Sequence, residues 1–95
     1  MTNLGGHVPK PKPSQTLSVE QCRAARGLLG WSQERLAMEA SATQRTVADF
    51  ERGARQPYER TLRDLREAME RADVVFLADG ETKDGGPGVR LKAAT

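Results

Sequence analysis

Between Ser18 and Ala72 the apolar positions recur every three or four residues, the period of helices that each bury one face. Val19, Cys22, Ala25 and Leu29 form the first series. Leu36, Ala37 and Ala40 form the second, Val47 and Phe50 the third, and Leu62, Leu65, Ala68 and Met69 the fourth. Helix punctuation falls between them. Ser18-Val-Glu-Gln21 fits a capping box, with Glu20 near the positive helix end. Gly30 is a left-handed stop. Ser32 caps the second helix, and Trp31 before it can staple onto Leu36. Ala40-Ser41-Ala42 makes a tight turn. Thr43 then caps a third helix from Gln44 to about Glu51, which Gly53 closes. Pro57 is expected to start the fourth helix, since proline is tolerated in a first turn. Its solvated face should carry Arg60, Arg63, Arg66, Glu67, Glu70 and Arg71.

After Ala72 the period changes. Val74-Val-Phe-Leu77 favours a strand, 79–88 is polar and Gly-rich, and Val89-Arg-Leu-Lys92 alternates apolar and charged side chains. Two short strands are expected. An isolated hairpin of that size is marginal in water, so it needs the helices or a second chain as partner. Residues 1–16 hold Gly5-Gly6 and the run Pro9-Lys-Pro-Lys-Pro13, which forbids helix and predicts a disordered, mildly basic arm. Such an arm is either a solvated tail or one that trails along a polyanion. The expected organisation is therefore an arm over 1–16, a helical domain over 17–72 and a strand-like extension over 73–95.

A chain of 95 residues supports one modest core. The net charge of +2 is small, but its distribution is uneven. Lys occurs only at positions 10, 12, 83 and 92, whereas every basic residue between Leu17 and Ala72 is Arg. Arginine suits bidentate contacts to phosphate or guanine, although GC-rich coding produces the same bias. Cys22 is alone, so neither an internal disulfide nor a Cys-based metal site is expected, and it reads as a small core residue. His7 lies in the arm. Gly85-Gly86-Pro87-Gly88 does not lie between a strand and a helix, so it is not expected to cradle a phosphate. No metal, cofactor or enzymatic activity is expected. Nothing approaches the roughly 20 apolar residues of a membrane span, and residues 1–13 lack a secretory signal. The expected location is the cytoplasm.

Residues 33–52 add the functional signal. Two short helices meet at a tight turn, and Thr43, Gln44, Arg45 and Thr46 crowd the start of the second. That arrangement can offer a helix N-terminus to the DNA major groove. At this point the chain resembles a known family. Arg26, Leu29-Gly30-Trp31-Ser32-Gln33, Leu36-Ala37, Thr43-Gln44-Arg45-Thr46-Val47, Phe50-Glu51-Arg52-Gly53, Pro57 and Thr61-Leu62 together resemble the Cro/repressor (Xre-type) helix-turn-helix domain over residues 18–72. The resemblance implies a mainly α, four-helix lambda-repressor-like domain, here with a short C-terminal strand or hairpin segment where many relatives carry a fifth helix. Ser41 stands where the family usually has Gly.

The resemblance also implies roles. Gln44 and Arg45 match base-reading positions, where Gln pairs with adenine and Arg with guanine. Thr46 and Thr43 can reach a thymine methyl or a phosphate. Asp49 matches a third reading position, where an acid either accepts from cytosine N4 or holds Arg45 in place. Gln33, Arg52 and Arg55 match phosphate contacts. Arg26 and Glu51 match a structural ion pair. A sequence-specific regulator, bacterial or phage-encoded, that binds double-stranded DNA as a homodimer is the leading expectation. Dimerisation is expected through Val74, Val75, Phe76, Leu77, Val89 and Leu91. The alternative is a protein-interaction module, such as an antitoxin or antiactivator, which would more often expose apolar residues at the tip of the third helix.

Overall fold

The computed structural model describes residues 16–78 and 87–92. The proline-rich arm up to residue 15, with His7, lies outside the described residues, as do 79–86, with Gly85 and Gly86, and 93–95. Four helices are followed by a hairpin: α1 (Val19–Leu29), α2 (Gln33–Ala40), α3 (Gln44–Glu51), α4 (Glu59–Arg71), β1 (Val74–Leu77) and β2 (Gly88–Leu91). No helix among the described residues is long and apolar enough to cross a membrane.

The helices start and stop where their local chemistry dictates. The Ser18 hydroxyl accepts from the Gln21 amide at 3.0 Å, and the Gln21 side-chain oxygen accepts from the Ser18 amide at 3.1 Å, a complete capping box. Ser32 accepts from the Arg35 amide and Thr43 from the Thr46 amide, at 2.9 and 3.1 Å. Gly30 ends α1 with φ 70°, and Gly53, just past α3, has φ 74°. Ser41 ends α2 in the same left-handed region, at φ 57° and ψ 39°. A side chain with a Cβ is strained there by roughly 1 kcal/mol. One boundary differs from expectation. Tyr58, with extended backbone at ψ 152°, is the residue before α4, so Pro57 stands outside the helix instead of in its first turn. Tyr58 supplies no side-chain cap.

The apolar faces meet in one core. Leu36, Val47, Phe50, Leu62, Leu65 and Met69 are fully enclosed, together with Cys22, Ala25 and Leu17. The hairpin closes this core. Its strands pair antiparallel, with Val74 opposite Leu91 and Phe76 opposite Val89. The Lys92 amide donates to the Asp73 carbonyl at 2.8 Å, extending the ladder by one pair. β1 packs on α4 and β2 on α1. Val74 and Phe76 are 2% and 6% exposed and belong to the core of their own chain. That corrects the expectation that these two side chains serve a second subunit. Val75 and Leu77, on the opposite face of β1, remain half-exposed. Arg66, expected on the solvated face of α4, instead lies over the Phe76 ring at 5.1 Å and donates to the Thr16 carbonyl at 3.0 Å.

Two polar clasps cross the core. The buried Gln21 side chain donates to the carbonyls of Leu77 and Gly88, at 3.2 and 3.0 Å, fastening α1 to both strands. The second is centred on Glu51, whose side chain is 4% exposed. Arg26 donates to it through Nε at 2.8 Å and Nη2 at 2.7 Å. Gln33 donates from α2 at 3.0 Å and the Cys22 thiol from α1 at 3.1 Å. The remaining Arg26 nitrogen, Nη1, donates to the Trp31 carbonyl at 2.8 Å. Burial opposes ionisation of Glu51, but the hydrogen bonds from Arg26, Gln33 and Cys22, with the charge of Arg26, hold its carboxyl below the usual range. Burial, the hydrogen bond to Glu51 and its negative charge push the Cys22 thiol far up, so it stays protonated.

Ser41→Gly should stabilise the chain by up to about 0.6 kcal/mol, the relief of left-handed strain less the added freedom of the unfolded chain. A urea midpoint that falls instead would show an unstrained Ser41. For the buried pair, Arg26→Met and Glu51→Leu should each cost about 3–5 kcal/mol, because each strands the other's polar groups. The double variant should lose less than the sum, with a coupling of about 1–3 kcal/mol. Since Glu51 titrates lower when folded than unfolded, its contribution is present above the ordinary carboxylate value of about 4.3 and is lost as pH falls through the lower folded value. Urea midpoints measured down this acid range should therefore fall less steeply in Glu51→Leu than in the parent.

Candidate nucleic-acid interface

The first turn of α3 holds no acidic residue, and its side chains point to solvent. Thr43, Gln44 and Arg45 are exposed and Thr46 is half-buried. Val47, Phe50 and Glu51 hold the other side of the helix against the core. The exposed tip is therefore rigidly mounted, because one eight-residue helix buries its apolar side while presenting its N-terminus. The Thr43 hydroxyl donates to the Thr46 hydroxyl at 2.9 Å while accepting from the Thr46 amide. Both threonines thus serve the cap in this state. The Arg45 side chain is 87% exposed.

Asp49 lies one turn further, and its side chain is only 14% exposed. Arg52 donates to it through Nη2 at 2.7 Å, and Nε of Arg45 is 3.7 Å away. The hydrogen bond from Arg52, opposed by partial desolvation and helped by the charges of Arg52, Arg45 and Arg55, holds this carboxyl below the ordinary range. The Asp49 carbonyl accepts from the amides of Ala54 and Arg55 at 2.8 and 3.3 Å, so the loop after α3 curls back against the helix. That brings Arg52 and Arg55 alongside the reading positions.

An open groove runs from this tip to the start of α4, lined by Thr43, Arg45, Thr46, Asp49, Arg55, Gln56, Pro57, Tyr58 and Thr61. Gln56, Tyr58 and Thr61 were not among the expected site residues. The available signal was Tyr58 itself, a large aromatic at a helix start with no apolar series to join; it is 86% exposed. Gln33 stands apart from this groove. It opens α2, and its side-chain amide is turned to Glu51, which links the expected phosphate contact to the buried ion pair. The amide has a second hydrogen to offer beyond that bond.

No curated protein matches the chain. A family model described as Helix-turn-helix matches residues 23–72, a span that runs from within α1 to just past α4 and covers more than half of the sequence. Both helices of the turn, the exposed tip and, apart from Cys22, the Glu51 clasp fall inside it. The chain belongs to the Xre/Cro-type helix-turn-helix family.

Proposed function

We propose that this chain is a sequence-specific, DNA-binding transcriptional regulator of the cytoplasm that reads an inverted-repeat operator as a homodimer. The observation that carries the reading is the α3 tip, where Gln44 and Arg45 are exposed on a helix with no acid in its first turn. Gln44 and Arg45 read base edges, with Thr46 able to meet a thymine methyl. Thr43, Gln33, Arg52 and Arg55 position the backbone through phosphates. A role as antitoxin or antiactivator would more often expose apolar residues at the tip, and this one is polar and cationic.

The dimer is part of the proposal because one recognition helix spans a single half-site. With Val74 and Phe76 enclosed, the outward residues Val75 and Leu77 and the exposed Leu91 are what the hairpin can offer a second subunit. Half-site centres about 10 bp apart, or a multiple, would match a two-fold pair.

Selection from a random duplex library should yield an inverted repeat. On that site Arg45→Ala should cost about 1–3 kcal/mol and relax preference at one base position. Arg55→Ala should weaken all sequences alike and lower the salt slope by about one. Binding of Arg45→Ala indistinguishable from the parent's would remove Arg45 from the reading set. For the dimer, Leu77→Lys should sediment as a folded monomer with sharply reduced operator affinity. A variant that remains dimeric would take the hairpin out of the interface.

A further inference from the structure

A carboxylate is an unexpected group on a surface that is to meet phosphates, and Asp49 is covered by neighbouring arginines instead of being offered to a base. Its side chain is 14% exposed, whereas those of Arg45 and Arg52 on either side are 87% and 69% exposed. Its two oxygens face these guanidinium groups, Oδ1 at 2.7 Å from Arg52 and Oδ2 at 3.7 Å from Arg45. A cytosine amino group would have to displace an arginine to reach either one.

We propose that Asp49 is a specificity-determining positioning residue, which aims Arg45 and holds Arg52 back from indiscriminate phosphate binding. This rests on the reading of α3 as the DNA-contacting helix. Arg45 approaches Asp49 with Nε, so both of its terminal nitrogens stay outward, and these are the two donors a bidentate pair with guanine requires. Arg52 engages Asp49 with a terminal nitrogen, Nη2, which is then not offered to DNA. Non-specific affinity grows with each phosphate neutralised, so an arginine already neutralised by Asp49 adds little to it. At the cognate site the aimed Arg45 is rewarded by a base edge. On other sequences Arg52 must give up Asp49 to gain a full phosphate contact, with no base edge for Arg45 to offset the loss. The carboxylate thereby lowers affinity for arbitrary DNA more than for the operator. Its backbone carbonyl, bonded to the amides of Ala54 and Arg55, fixes the helix end from which it acts.

Asp49→Asn tests this in the full chain, since it removes the charge and keeps the shape; Asp49→Ser removes the same charge if the first variant melts early. The parent first selects a site from random duplex DNA. Parent and variants are then titrated over a salt series against that site and a scrambled duplex. The variants should bind the scrambled duplex about tenfold tighter, with a salt slope steeper by about one, and change less than about threefold on the selected site. Unchanged melting would show that the shift is not structural. A specific-to-scrambled ratio and slope equal to the parent's would overturn the inference and leave the DNA reading intact. A loss confined to one C·G pair at unchanged slope would also overturn it, making Asp49 a base reader. A parent that selects no site would overturn the DNA reading, and the inference with it.

Discussion

Glu51 is a carboxylate that the core cannot hold unless three helices are in register. Its side chain is almost wholly enclosed at the end of α3, and its partners come from Cys22 and Arg26 on α1 and from Gln33 on α2. Apolar packing alone tolerates sliding by a fraction of a turn. A buried charge with several directed donors does not, because every displacement leaves a polar group unsatisfied. The energetic benefit of such a pair over apolar residues of equal volume is small or negative. Its value here is positional: it fixes the angle at which α3 leaves the core, and the exposed tip of that helix inherits the angle. Gln33 carries the same constraint to the start of α2, so both helix N-termini facing outward are set by one carboxylate.

The surface beyond is organised by a second, recessed carboxylate. Asp49 gathers Arg45 and Arg52 from a more exposed setting than that of Glu51, and the loop beyond α3 brings Arg55 beside them. The two acids lie on opposite sides of one short helix. One faces the core and determines where the helix stands; the other lies on the arginine-bearing side, between Arg45 and Arg52.

Much of this was legible in the sequence because it is local. Caps at Ser18, Ser32 and Thr43, stops at Gly30 and Gly53, and the apolar series each act within a few residues, and all appear where the pattern put them. The pairing of Arg26 with Glu51 was available only through family resemblance, since nothing in the spacing of residues 25 positions apart announces it. The thiol and amide bonds that complete the clasp were not legible at all. Cys22 read correctly as core, but residue type does not say what a buried thiol faces. For the hairpin, alternation shows that Val74 and Phe76 share an apolar face without showing whose core covers it. Pro57 misled because proline is compatible with either side of a helix start, and the extended backbone at Tyr58 decides between them.

The Gln21 clasp bears on how the chain acquires its structure in time. Its two hydrogen bonds join residues 56 and 67 positions apart, among the longest loops closed in the molecule. Closing such loops is entropically late, because the chain between must be confined before the contact returns anything. During synthesis the helices emerge first, with the space for Val74 and Phe76 still open to water. The four-helix unit therefore stays incomplete, its polar anchor at Gln21 at most half-partnered, until the second strand arrives. A nascent chain stalled after α4 but before residue 88 would leave at least the Gly88 bond of that anchor unmade.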